Sequence, residues 1–258
     1  MGEPPADPPP TQRAAYYAAR PGGWRDWWTL LHPPYTAWHL SYVVVGACLA
    51  PVVNATRLVG TLVAFFLAVG LAAHALDELH GRPLRTRIPS TALAVTVGVG
   101  LAGSMALGVV GIVQVGWALL PFLVVGPILV VAYNFELFGG IIHNEVGFAA
   151  SWGAFPVLTA YVAQTGSLAA APLIAAVGAT SLSAAQRALS TPARRLRRES
   201  ADVVGTITRL DGGTVPVDRS ALLAPLERVK LAGSFRALPV VDANDGARVV
   251  CFRSYLPG

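Results

Sequence analysis

Residues 90–112 read STALAVTVGVGLAGSMALGVVGI, and after one valine residues 114–134 read QVGWALLPFLVVGPILVVAYN. Neither stretch holds a charged side chain. A helix rises about 1.5 Å per residue, so roughly 20 apolar residues match the hydrocarbon thickness of a bilayer. Each stretch therefore reads as a transmembrane helix. Working outward, 36–53, 57–79, 146–164 and 168–189 have the same character. The expected fold is an all-α polytopic membrane protein with about six spans. Gly and Pro inside them are tolerated because neighbouring helices satisfy freed backbone groups. Gly98, Gly100, Gly103 and Gly108 suggest close helix packing.

Composition agrees. The 258 residues are 54% hydrophobic and only 13% charged, about half the charge usual in soluble domains. The net charge of +5 falls beside the spans, so it points to topology and anionic lipid rather than to nucleic acid. Arg13, Arg20 and Arg25 precede span one, and Arg82, Arg85 and Arg87 separate spans two and three. Arg194, Arg195, Arg197 and Arg198 follow span six. Six spans put all three groups on one side and leave Arg57 on the other, so both termini are expected in the cytoplasm, with the protein integral to the plasma membrane. Trp24, Trp27 and Trp28 read as an interfacial aromatic anchor.

Three regions follow: a Pro-rich, disordered 1–23, a transmembrane 24–190, and a polar cytoplasmic α/β tail, 199–258. Residues 1–23 lack the apolar stretch of a signal peptide. In the tail, Asp211-Gly212-Gly213 and Asp245-Gly246 read as hairpin turns. Asp218 is placed to cap a short amphipathic helix carrying Leu222, Leu223, Leu226 and Val229. That helix either belongs to a small α/β appendage or lies on the membrane, and the tail is the expected place for a protein partner. Cys48 and Cys251 are far apart, one in a span and one in the tail, so neither a disulfide nor a zinc-type pair is expected.

Between residues 27 and 190 the acids are Asp77, Glu78, Glu136 and Glu145, and the chain's histidines are His32, His39, His74, His80 and His143. Six spans place all nine at one face. His74, Asp77 and Glu78 share a helical face by i, i+3 and i+4 spacing. Ionisable groups inside spans are costly and persist when they pair, line a wet cavity or hold a metal. Histidine with carboxylate suits iron, zinc or manganese better than magnesium. The candidate metal ligands are His39, His74, Asp77, Glu78, His80, Glu136, His143 and Glu145, with Asp77, Glu78 and Glu145 as candidate catalytic acids. The competing reading is that these groups simply sit at headgroup level.

Two stretches carry a resemblance. Ala73-His74-Ala75-Leu76-Asp77-Glu78-Leu79-His80-Gly81-Arg82-Pro83-Leu84 is similar to the first aspartate motif of UbiA-type membrane prenyltransferases, which ends their second helix and is followed by Arg-Pro. Tyr133 to Gly166, with Asn144-Glu145, Phe148, Trp152-Gly153, Pro156, Tyr161 and Gln164-Thr165-Gly166, resembles the branch that prenylates dihydroxynaphthoate. His32-Pro33 stands where the family often has Arg-Pro. The resemblance covers roughly 27–190 and implies a UbiA-like bundle. By the family pattern Glu78 retains an acid, Gly81 and Arg85 occupy the next two aspartate positions, and 184–192 has no acid where a second motif would fall.

Three functions are therefore expected in competition. The first is a UbiA-like enzyme with an iron, zinc or manganese centre, acting on an isoprenoid, quinone or other lipid. The second is a divergent magnesium-dependent prenyltransferase, in which Arg82, Arg85 and Arg87 would grip the diphosphate. The third is a non-catalytic scaffold or lipid-binding subunit.

Overall fold

The structure, a computed structural model, describes residues 15, 17–140, 142–226, 239–241 and 247–249. The chain forms two units, Met1–Ala188 and Leu189–Gly258. In the first, a short helix α1 (Trp24–Leu30) precedes α2 (Pro33–Cys48). His32 joins them in a left-handed conformation, φ 46° and ψ 57°, and α2 starts on two prolines, whose missing N–H groups fall where no helical partner exists. Four longer helices follow, α3 (Ala55–Leu79), α4 (Ser90–Val115), α5 (Trp117–Asn134) and α6 (Glu145–Thr165). The last, α7 (Ala170–Arg198), ends in a basic turn that suits the negative end of its dipole.

Six spans are expected, and among the described residues four helices, α3, α4, α5 and α6, have the length and apolar character of a span. The 16 residues of α2 reach only about 24 Å. On α4, Val95, Val99, Val109 and Val113 are all exposed, an apolar outer face that suits lipid rather than water.

The helices run alternately up and down. At one end, Asn54 caps α3 through the Arg57 N–H at 3.1 Å, and Gln164, near the end of α6, exchanges hydrogen bonds with the Asn54 backbone at 2.8 and 3.3 Å. At the other end, the close of α3 meets the close of α5, His80 lying edge-on to Phe135. Close crossings depend on particular glycines. A Cβ on Gly46 of α2 would run into the Val157 carbonyl of α6, and one on Gly100 of α4 would lie 2.7 Å from the Leu67 oxygen of α3. Gly98, expected to pack, faces open space.

Two helices widen into π turns, Phe66–Ala73 in α3 and Ala150–Ala154 in α6. Pro156 accounts for the second: its ring clashes with the carbonyl four residues back, at Trp152. Both π turns feed one core cluster, in which Val69, Ala73 and Leu76 meet Val130 and Trp152.

In the second unit, β1 (Val204–Thr208) and β2 (Thr214–Asp218) pair antiparallel across a turn. There Gly212 takes φ 83° and Asp211 accepts the Gly213 N–H at 2.9 Å. Asp218 caps the helical residues 219–226, accepting from the Ala221 N–H at 2.7 Å and from the Ser220 hydroxyl, and these bonds hold its carboxyl below the usual range. A second hairpin pairs β3 (Pro239–Val241) with β4 (Ala247–Val249). Val229, Asp245, Gly246, Cys251 and most of the Pro-rich N-terminal expectation lie outside the described residues. Just before α1, Ala18 is buried and the Ala19 N–H donates to the Thr29 hydroxyl at 3.0 Å.

Candidate functional site

One end of the bundle gathers imidazoles. The His32 and His74 rings stack with centroids 4.3 Å apart, and Tyr17 reaches His32 Nδ1 at 2.5 Å. His39 is buried in α2, and its Nδ1 hydrogen-bonds the Tyr35 carbonyl at 2.7 Å. Trp152 stands edge-on to His39 at 5.9 Å and to Tyr133 at 5.8 Å. Tyr133 stacks on His143 at 4.6 Å and accepts from Arg187 Nη1 at 2.8 Å, while that guanidinium also lies over Phe148.

The expected ligand set divides. His32 and His74 come together, while His39 meets Phe148 and Trp152. His143 meets Glu136 at 3.8 Å, a long ion pair on an exposed loop. Asp77 is exposed, whereas Glu78 beside it is completely buried. Glu78 Oε2 accepts the Leu84 N–H at 2.9 Å, and Oε1 accepts both the N–H and the hydroxyl of Thr86 at 2.8 Å. Its carboxylate thus ties down the α3–α4 loop. His80 and Glu145 are exposed at the same end. Among the described residues no three His, Cys, Asp or Glu side chains stand where they could hold one metal ion.

The arginines of the α3–α4 loop also have local partners. Arg82 donates to the Ile88 carbonyl at 2.6 Å and to the Ser90 hydroxyl at 2.7 Å. The Arg87 backbone N–H donates to Asp26, a buried acid on α1, at 3.1 Å. Arg85 is exposed, and both it and Arg82 adopt positive φ, which is uncommon outside glycine.

Beyond Trp152 lies a feature the sequence did not announce. A cavity of about 250 Å³ runs between α3, α4, α5 and α6. Its floor is formed by Val69, Val130, Ser151 and Trp152, and its far end by Thr56, Arg57 and Gln114. Met105 and Val110 of α4 line it and are themselves exposed. Gly60 lines it as well, and a Cβ there would touch nothing within 4 Å. Trp152 is thus shared: one side meets His39, and the other closes the cavity.

Trp152, Tyr133, Arg187, Asp26 and the cavity residues were missed by reading the sequence for ligand types. A weak signal existed, since Trp152 and Tyr133 lie within the second resembling stretch. Compared with protein-family models, with curated proteins and with solved structures, the chain matches none. The likeness to UbiA-type enzymes therefore rests on the quoted motifs alone.

Proposed function

We propose that this protein works within a membrane and takes an aliphatic chain into the cavity between α3 and α6. The cavity carries this reading. It is mostly apolar, several α4 residues that line it are exposed, and Gly60 leaves open space within it. By the positive-inside rule the imidazole end, with Arg82, Arg85 and Arg87, faces the cytoplasm. The test is photolabelling in lipid nanodiscs with a straight chain carrying a diazirine at its terminal carbon. Saturable labelling of cavity residues, abolished by Gly60→Leu, is expected. Labelling that neither saturates nor responds to Gly60→Leu refutes the reading.

A second reading, a metal-dependent enzyme acting on such a lipid, has one observation in its favour: the His32 and His74 rings stack at the imidazole end of the bundle, two residues of a ligand type side by side. Elemental mass spectrometry of gently purified protein tests it. Stoichiometric iron, zinc or manganese that is lost in a His74→Ala, Glu136→Ala double variant supports this reading, and no such metal removes it. For magnesium-dependent prenyl transfer the geometry offers less, because Glu78 and Arg82 are already committed to the α3–α4 loop.

A further inference from the structure

We infer that the cavity's occupant is an anionic amphiphile whose charged group sits at Arg57 and whose chain ends against Trp152. The inference rests on the lipid-binding reading above and adds the ligand's charge and direction.

Among the described residues, Arg57 supplies the only charge in the cavity lining. Between residues 27 and 190 every acid, Asp77, Glu78, Glu136 and Glu145, belongs to the opposite end of the bundle. From Arg57 to Asp77 along α3 is about 30 Å at 1.5 Å per residue. The guanidinium is held in place by two neutral acceptors: Nη1 donates to the Gln164 carbonyl at 2.8 Å and Nη2 to the Gln114 carbonyl at 3.2 Å. A guanidinium has five N–H donors, so these bonds orient it without exhausting it.

Helix C-termini carry partial negative charge, and capping α4 and α6 is the plain structural role of Arg57. At this end, though, the cavity is framed by two C-termini, of α4 and α6, and two N-termini, of α3 and α5. Their partial charges oppose and roughly cancel. The positive charge of Arg57 is left over. In a membrane the complementary partner is an anion that brings its own apolar chain, because the space below Arg57 is apolar.

The cavity's shape sets the chain. Its α3 lining runs from Thr56 to Val69, about 20 Å of helix. So elongated a space suits one aliphatic chain better than a stacked ring system. Gly60, one turn below Arg57, keeps the passage open.

The experiment uses the full chain in nanodiscs of zwitterionic lipid and two probes, a straight-chain carboxylate with a terminal diazirine and its methyl ester. In the wild type the carboxylate should label about tenfold more tightly than the ester, with crosslinks on Val69, Val130, Ser151 or Trp152. Arg57→Gln should erase that preference, and Arg57→Lys should keep most of it. Equal labelling by both probes in the wild type, a preference surviving Arg57→Gln, or a terminal label on Thr56 or Gln114 overturns the inference. If Arg57→Gln loses ester labelling too, the wild-type ratio and Arg57→Lys decide. Blockage by Gly60→Leu with no effect of Arg57→Gln leaves lipid binding standing and removes only the anionic head; labelling indifferent to Gly60→Leu removes both.

Discussion

Gly60→Leu is the perturbation with the most to say. The position lies on α3, lines the cavity, and would give an added Cβ no neighbour within 4 Å. A leucine side chain brings four carbons, on the order of 120 Å³ at about 30 Å³ each, so it would fill nearly half of the 250 Å³ space. If purified protein holds that space empty, filling it removes a cavity cost of about 24 cal/mol per Å³, or roughly 3 kcal/mol. Replacing a mid-helix glycine adds about 0.8 kcal/mol. In delipidated protein the variant should therefore melt higher, by about 8–15 °C at some 2–4 °C per kcal/mol. In lipid-saturated nanodiscs a bound chain already occupies the space. There the variant only exchanges one set of carbons for another, and the gain should shrink to the helix contribution, about 2–3 °C. The two melting experiments, run beside saturable photolabelling, make one test. A variant that melts lower in both conditions, or that binds the chain as the wild type does, shows that residue 60 does not open onto a chain-sized space.

Other positions give independent checks. Gly46→Ala drives a Cβ into the Val157 carbonyl, and because backbone cannot swing aside the variant should lose about 1–3 kcal/mol, read as a lower melting temperature in detergent. Unchanged melting would mean that α2 and α6 do not cross at that point. Glu78→Gln sets an amide NH₂ against backbone N–H donors that now meet carboxylate oxygens. A loss of about 1–3 kcal/mol is expected, together with faster hydrogen exchange at Leu84 and Thr86. Normal exchange at both amides would free Glu78 for a role in chemistry. The Arg57 variants and the elemental analysis complete the set.

The sequence made the helices legible because the signal for a membrane span is local. Uninterrupted apolar length needs no partner, and 90–112 and 114–134 announced themselves without reference to the rest of the chain. The hairpin at Asp211-Gly212-Gly213 and the Asp218 cap were legible for the same reason, since a left-handed glycine and an Asx cap act within three residues. The shared end of the histidines and acids also followed from counting helices, because an up-and-down chain returns to the same side every second span.

What counting could not supply was rotation. Successive residues on a helix point about 100° apart, and that step separates exposed Asp77 from wholly buried Glu78. The i, i+3, i+4 spacing placed His74, Asp77 and Glu78 on one side, but helix packing sent His74 to His32 and Glu78 to its own loop. The cavity was equally hidden, since it lies between four helices, with open space at Gly60 on one and Trp152 closing it on another. By itself the sequence determined which segments are helices and which end of the bundle holds the imidazoles and acids, because apolar length and alternation are properties of one strand of chain. Only the tertiary structure decided which ionisable groups meet, where the empty space lies and that Arg57 stands at its mouth. Those are distances between helices, set by the close approaches at Gly46 and Gly100 and by no residue alone.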